Sequence, residues 1–163
     1  DRSVSRGLGD VYKRQIHNKG VIPMVYLLTG QKGSGKTQKM IELANQKAKA
    51  CDGNVVFIKN SHNDTYSVSF DIRAICMDDF PSIRNIDEYT GFIYGMISCN
   101  SDIEVIFIDG ILKQTSISLE NIPRFVDRLS NISKKHNVDF YVSVSADRKG
   151  LKDVKMEKCE FLN

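Results

Sequence analysis

Short apolar runs alternate along the chain with longer stretches whose apolar residues recur at helical spacing. Residues 24–28 form the first run and lead into Thr29 and Gly30; such a continuous run suits a strand buried on both faces of a parallel sheet. Over residues 36–51, Met40, Ile41, Ala44, Ala48 and Cys51 mark one helical face, and Gly53 stands where the chain leaves it. Residues 54–59 predict a second strand, and the polar residues 60–65 a loop. Residues 66–77 mix β-branched and aromatic positions around Asp71, which suggests one extra strand or two paired as a hairpin. Asn85 and Glu88 have capping-box spacing and open a helix with Tyr89, Phe92, Ile93, Met96 and Ile97 on its apolar stripe. Residues 103–108 predict a strand ending in Asp109 and Gly110. A helix over 118–136 follows, and then a strand over 138–144 ending in Ser145, Ala146 and Asp147.

Strands alternating with amphipathic helices predict a single α/β domain, with a mainly parallel sheet of four or five strands flanked by helices. Residues 24–163 suit one layered core and not two. The stretch before Met24 breaks the pattern, having neither an apolar period nor a targeting signature. Ser5 to Gln15 back-translate to a sequence resembling the transposon adapter of short-read library preparation. Lys19, Gly20 and Val21 back-translate to one resembling a ribosome-binding site. Residues 1–23 are therefore expected to be a non-native leader, and 24–163 the folding unit.

That division changes the charge balance. The chain has 23 basic and 20 acidic residues, and the leader holds Arg2, Arg6, Lys13, Arg14 and Lys19 against Asp1 and Asp10, leaving 18 of each. Net charge then indicates no nucleic-acid or membrane partner. No apolar run approaches the ~20 residues that span a bilayer. Cys51, Cys76, Cys99 and Cys159 are dispersed, without zinc-ligand spacing, so free thiols in a reducing, cytoplasmic compartment are expected.

Chemistry enters between the first strand and the first helix. Gly30, Gln31, Lys32, Gly33, Ser34, Gly35, Lys36 and Thr37 match G-x-x-x-x-G-K-[ST] at every fixed position. The pattern requires backbone N–H groups turned inward at phosphate oxygens, a demand that Gly33 and Gly35 meet, and Gly30 and Ser34 belong with them to the expected binding set. Lys36 would reach the β- and γ-phosphates, and the Thr37 hydroxyl a magnesium ion. Asp109, at the tip of an apolar strand, is placed to hold the same metal, although an Asp-Gly pair is also a favoured turn. His62 and His136 read as solvated histidines. Asp78 and Asp79 read as a solvated turn in preference to a metal-binding doublet.

With these residues in place the chain resembles the P-loop NTPase superfamily, and within it the RecA-like or thymidine-kinase-like branch. The resemblance implies that the strand over 138–144 lies between the strands of Gly30 and Asp109. It also implies that this strand ends in a polar residue sensing the γ-phosphate, for which Ser143, Ser145 and Asp147 are candidates and Ser145 is included in the expected binding set. Residues 24–163 are also similar to small bacterial ATP-binding proteins of uncertain role, which share LLTGxKGSGKT, FIDG and a late S-A-D. The departures are informative. The place beside Asp109 where related enzymes carry a glutamate is Gly110, the cysteine-rich zinc lobe of compact thymidine kinases is absent, and the signature lysine of partition ATPases is Gln31. The expectation is an ATP- and Mg2+-binding, slow ATPase with Lys36 and Asp109 as catalytic residues, switching an unidentified protein partner. A small-molecule or nucleoside kinase and a non-hydrolysing ATP-binding module are the alternatives.

Overall fold

The computed structural model describes residues 22–114 and 116–163, so most of the expected leader lies outside the described residues. In chain order the elements are β1 Val25–Thr29, α1 Lys36–Ala50, β2 Asn54–Lys59, β3 Ile72–Cys76, α2 Ile86–Cys99, β4 Ile103–Ile108, α3 Ile122–His136, β5 Asp139–Val144 and β6 Cys159–Phe161. They form one sheet in the order β3-β2-β4-β5-β1-β6, with every neighbouring pair parallel. The strand of Asp109 (β4) and the strand of the glycine loop (β1) thus flank β5, as the resemblance implied.

Strand alternation explains why the apolar runs are continuous: a parallel strand covered on both faces needs apolar residues at successive positions. In β4, Val105 and Phe107 face α1, where they pack with Leu28, Phe57 and Tyr141 against Met40, Ile41 and Ala44. Ile106 and Ile108 face the other way, into the larger core closed by Tyr89 and Ile93 of α2 and by Phe125, Val126 and Leu129 of α3. The next position in this alternation is Asp109, on the face of α1.

The sheet has six strands rather than four or five. β6 is a three-residue strand paired with β1 through Cys159, Glu160 and Phe161. Asn163 fastens the segment further, its amide oxygen accepting hydrogen bonds from the Thr29 N–H and hydroxyl at 3.1 Å each. Residues 66–77 contribute one strand, β3, parallel to β2, and not a hairpin. The α2 cap forms as its sequence predicts on one side, the Glu88 N–H donating to Asn85 Oδ1 at 2.9 Å. The Glu88 carboxylate, however, accepts from the N–H of Arg84 and not of Asn85. Among the described residues no helix is long and apolar enough to cross a membrane.

Candidate nucleotide and metal site

The site begins where β1 stops. Gly30, Gly33 and Gly35 carry φ angles of 146°, 83° and 84°, the left-handed region that costs an L side chain energy and glycine little. The reason for glycine differs along the loop. A Cβ on Gly30 would stand 2.6 Å from Ser34 Oγ, whereas at Gly33 and Gly35 it would meet nothing within 4 Å, so there the torsion alone demands glycine. Gly35 is the N-cap of α1 and gives the helix no side-chain cap. The first-turn N–H groups are thus left to the positive end of the helix dipole. Ser34 is exposed on the loop.

Lys36 folds back over this loop. Its ammonium donates to the carbonyls of Gly30 at 2.9 Å and Gln31 at 2.8 Å, with Ser34 Oγ at 3.5 Å. Partial burial lowers its pKa, opposed by the negative charge of Asp109 and assisted by the positive charge of Lys113. Those hydrogen bonds hold the ammonium at the loop, where its charge favours an anion that reaches it.

Asp109 is buried, with 5% of its surface exposed, and is bound by hydroxyls from three elements. Thr37, in the first turn of α1, donates to Oδ2 at 2.9 Å. Tyr66, in the loop between β2 and β3, donates to the same oxygen at 3.0 Å. Ser143, on β5, donates to Oδ1 at 2.7 Å and itself accepts the N–H of Gly110 at 2.7 Å. Burial, then the charge of Asp109 and the hydrogen bond to it, push the Tyr66 phenol well above its ordinary range. Its ring meets Phe57 edge-on at 5.8 Å.

The predicted residues Lys36, Thr37 and Asp109 therefore converge beside the glycine loop. Of the polar residues at the end of β5, Ser143 is the one bonded to Asp109, while Ser145 lies exposed just past the strand. The following residues are tied to the loop, the Gly30 N–H donating to Ala146 O at 3.0 Å and Gln31 Nε2 to Asp147 Oδ2 at 3.2 Å. Tyr66 carries no role in the sequence reading, and no spacing signal could assign one, because its partner lies 43 residues away. His62 has a carboxylate partner that the sequence does not reveal, Nε2 standing 2.8 Å from Asp79 Oδ1. Asp78 accepts from the His62 N–H at 3.0 Å and the Ser61 hydroxyl at 2.8 Å, which hold its carboxyl below the usual range. Among the described residues no group of three or more His, Cys, Asp or Glu side chains is arranged to hold a metal.

No family model matches the chain. Over 86 residues, 53% of its length, it is 32% identical to the genome polyprotein of feline calicivirus strain Cat/United States/Urbana/1960. The polyproteins of strains Japanese F4 and F9 match it to the same extent. The matched region is 5% of each polyprotein. Among solved structures, a KaiC-like protein from the hyperthermophilic archaeon Pyrococcus horikoshii superposes with a TM-score of 0.56 at 19% identity, covering 80% of this chain and 66% of that one. At that identity the likeness is one of fold: a RecA-like P-loop fold, in which the strands of the glycine loop and of Asp109 flank β5.

Proposed function

We propose that the chain binds ATP with magnesium at Gly30–Thr37 and Asp109, hydrolyses it slowly, and acts as a switch for a protein partner. The observation that carries the reading is the approach of Thr37 Oγ1 to Asp109 Oδ2, 2.9 Å apart although 72 residues separate them in sequence. A hydroxyl and a carboxylate side by side are hard oxygen donors of the kind magnesium takes, next to a loop of left-handed glycines suited to phosphate. Thr37 and Asp109 would hold the ion, which when bound supplies positive charge against the β- and γ-phosphates. Lys36 would release its loop carbonyls and pair with the same phosphates, while the N–H groups of the first turn of α1 orient them. Four unpaired cysteines fit a cytoplasmic setting.

Slow turnover follows from what surrounds Asp109. Its neighbour Gly110 brings no side chain, and among the described residues the side chains hydrogen-bonded to the carboxylate are three hydroxyls, donors that cannot take a proton from water at neutral pH. The switch reading is supported by Tyr66, which joins the metal-binding carboxylate to the loop leading into β3. Steady-state phosphate release by the full chain with magnesium and saturating ATP, run beside a nucleoside panel, tests the proposal. We expect ATP binding and turnover well below the enzyme median of about 10 per second. Absence of ATP binding overturns the reading, and a phosphorylated nucleoside converts it to a kinase.

A further inference from the structure

β3 is the outermost strand on its side of the sheet, with no described strand beyond it. An edge strand turns alternate N–H and C=O groups outward, a template for an extended segment. Grooves flank it on both faces. On the face of α2, Arg73, Ile75, Phe80, Phe92 and Met96 help line a groove of about 480 Å³. On the face of α1, Ile72, Ala74, Phe57, Tyr66, Val68 and Phe70 help line one of about 390 Å³. Phe80 is 38% exposed and Phe70 is fully exposed, so each groove carries an uncovered ring on its wall. Each also holds one cation, Arg73 or Lys59, and no carboxylate among its lining residues.

We propose that the β3 edge docks an extended segment of a partner protein, which adds to the sheet as a further strand and carries acidic residues among alternating apolar ones. Successive side chains of such a strand point to opposite faces, so its odd and even positions enter the two grooves in turn. The outward backbone groups of β3 supply affinity, the apolar walls select the alternation, and the two cations select the acidic charge. Tyr66 lines the α1-side groove and bonds to Asp109 at 3.0 Å; a segment seated there touches the side chain that reports on the metal site. In that respect the proposal rests on the switch reading above and names the class of partner.

The test is selection of random octapeptides displayed on phage against the immobilised full chain, followed by titration of the selected peptides in solution. The expected consensus alternates apolar residues with Asp or Glu, and hydrogen exchange shows added protection at residues 72–76. Arg73→Glu, at an exposed position, leaves the thermal melt unchanged, weakens the selected peptides by about tenfold, and turns a fresh selection toward Lys and Arg. Ala74→Pro and Ile75→Pro are paired because alternate residues face outward; one of them abolishes binding with its fold retained. No enrichment, unchanged binding to all three variants, or protection elsewhere overturns the proposal. So does a dimer of the chain that Arg73→Glu dissolves, or competition by residues 1–21 of the chain itself. ATP titration of the same preparation separates the two readings: peptide binding without ATP binding removes the nucleotide site and leaves the docking edge, and the converse removes the edge alone.

Discussion

Tyr66→Phe removes one hydroxyl and leaves the ring against Phe57. That hydroxyl donates to Asp109 Oδ2 at 3.0 Å, and Thr37 donates to the same oxygen at 2.9 Å. Both lone pairs of Oδ2 are thus taken, while Oδ1 accepts from Ser143 at 2.7 Å. For Oδ2 to face a cation beside Thr37, one donor must leave. Tyr66 is the one held by a loop. A hydrogen bond to a charged acceptor contributes about 1.5–3 kcal/mol, and the half-buried position of Tyr66 argues for the lower figure, about 1.5 kcal/mol. The nucleotide-free variant should therefore melt about 5 °C below the parent. If magnesium-ATP binds as proposed, that bond would already be broken in the bound state, the same energy would return as affinity, and the variant should bind magnesium-ATP about tenfold more tightly. Displacement of a fluorescent nucleotide at fixed magnesium, together with melting curves with and without nucleotide, reads both numbers. Weaker magnesium-ATP binding by Tyr66→Phe would show that the hydroxyl supports the bound state, and the reasoning would fail.

Lys36→Ala should weaken ATP by about 1.5–3 kcal/mol, the value of a charge-assisted contact, and Asp109→Ala should flatten the magnesium dependence; titrations that match the parent for both would remove the site. Gly110→Glu places a side chain at φ +70° with its Cβ 3.0 Å from Lys113 Cδ. The lysine stem can move but the torsion cannot, so we expect about 1–2 kcal/mol of destabilisation in urea and no gain in phosphate release. Asp139 is raised above the ordinary carboxylate range, chiefly by burial and against the hydrogen bond from the Met24 N–H at 3.0 Å. Its ionised form is thus disfavoured in the folded state, and stability falls as pH rises from about 3.9, the unfolded value, through the raised one. Asp139→Asn keeps an acceptor for Met24 and does not titrate, so its urea midpoint should gain on the parent across that window and run parallel above it. A constant difference across the window would refute the assignment.

The sequence by itself determined the glycine loop, the lysine and threonine after it, and the aspartate at the tip of an apolar strand, because these demands are local. A left-handed turn needs glycine at fixed spacing, and a strand buried on both faces needs an unbroken apolar run before it can end in a buried carboxylate. It did not disclose β6, since three residues beside a charged stretch carry no period and become a strand only by pairing with β1. Nor could it separate one parallel strand from a hairpin over residues 66–77, where the chain crosses back without a helix. Tertiary structure alone brought Tyr66 and Ser143 to Asp109, because both contacts depend on which strands are neighbours. β5 lies beside β4, so Ser143 falls within reach of the carboxylate, while Ser145 is already past the strand and in solvent. The grooves on either side of β3 arise the same way: sheet order puts β3 at the edge, and no residue spacing along the chain encodes that order.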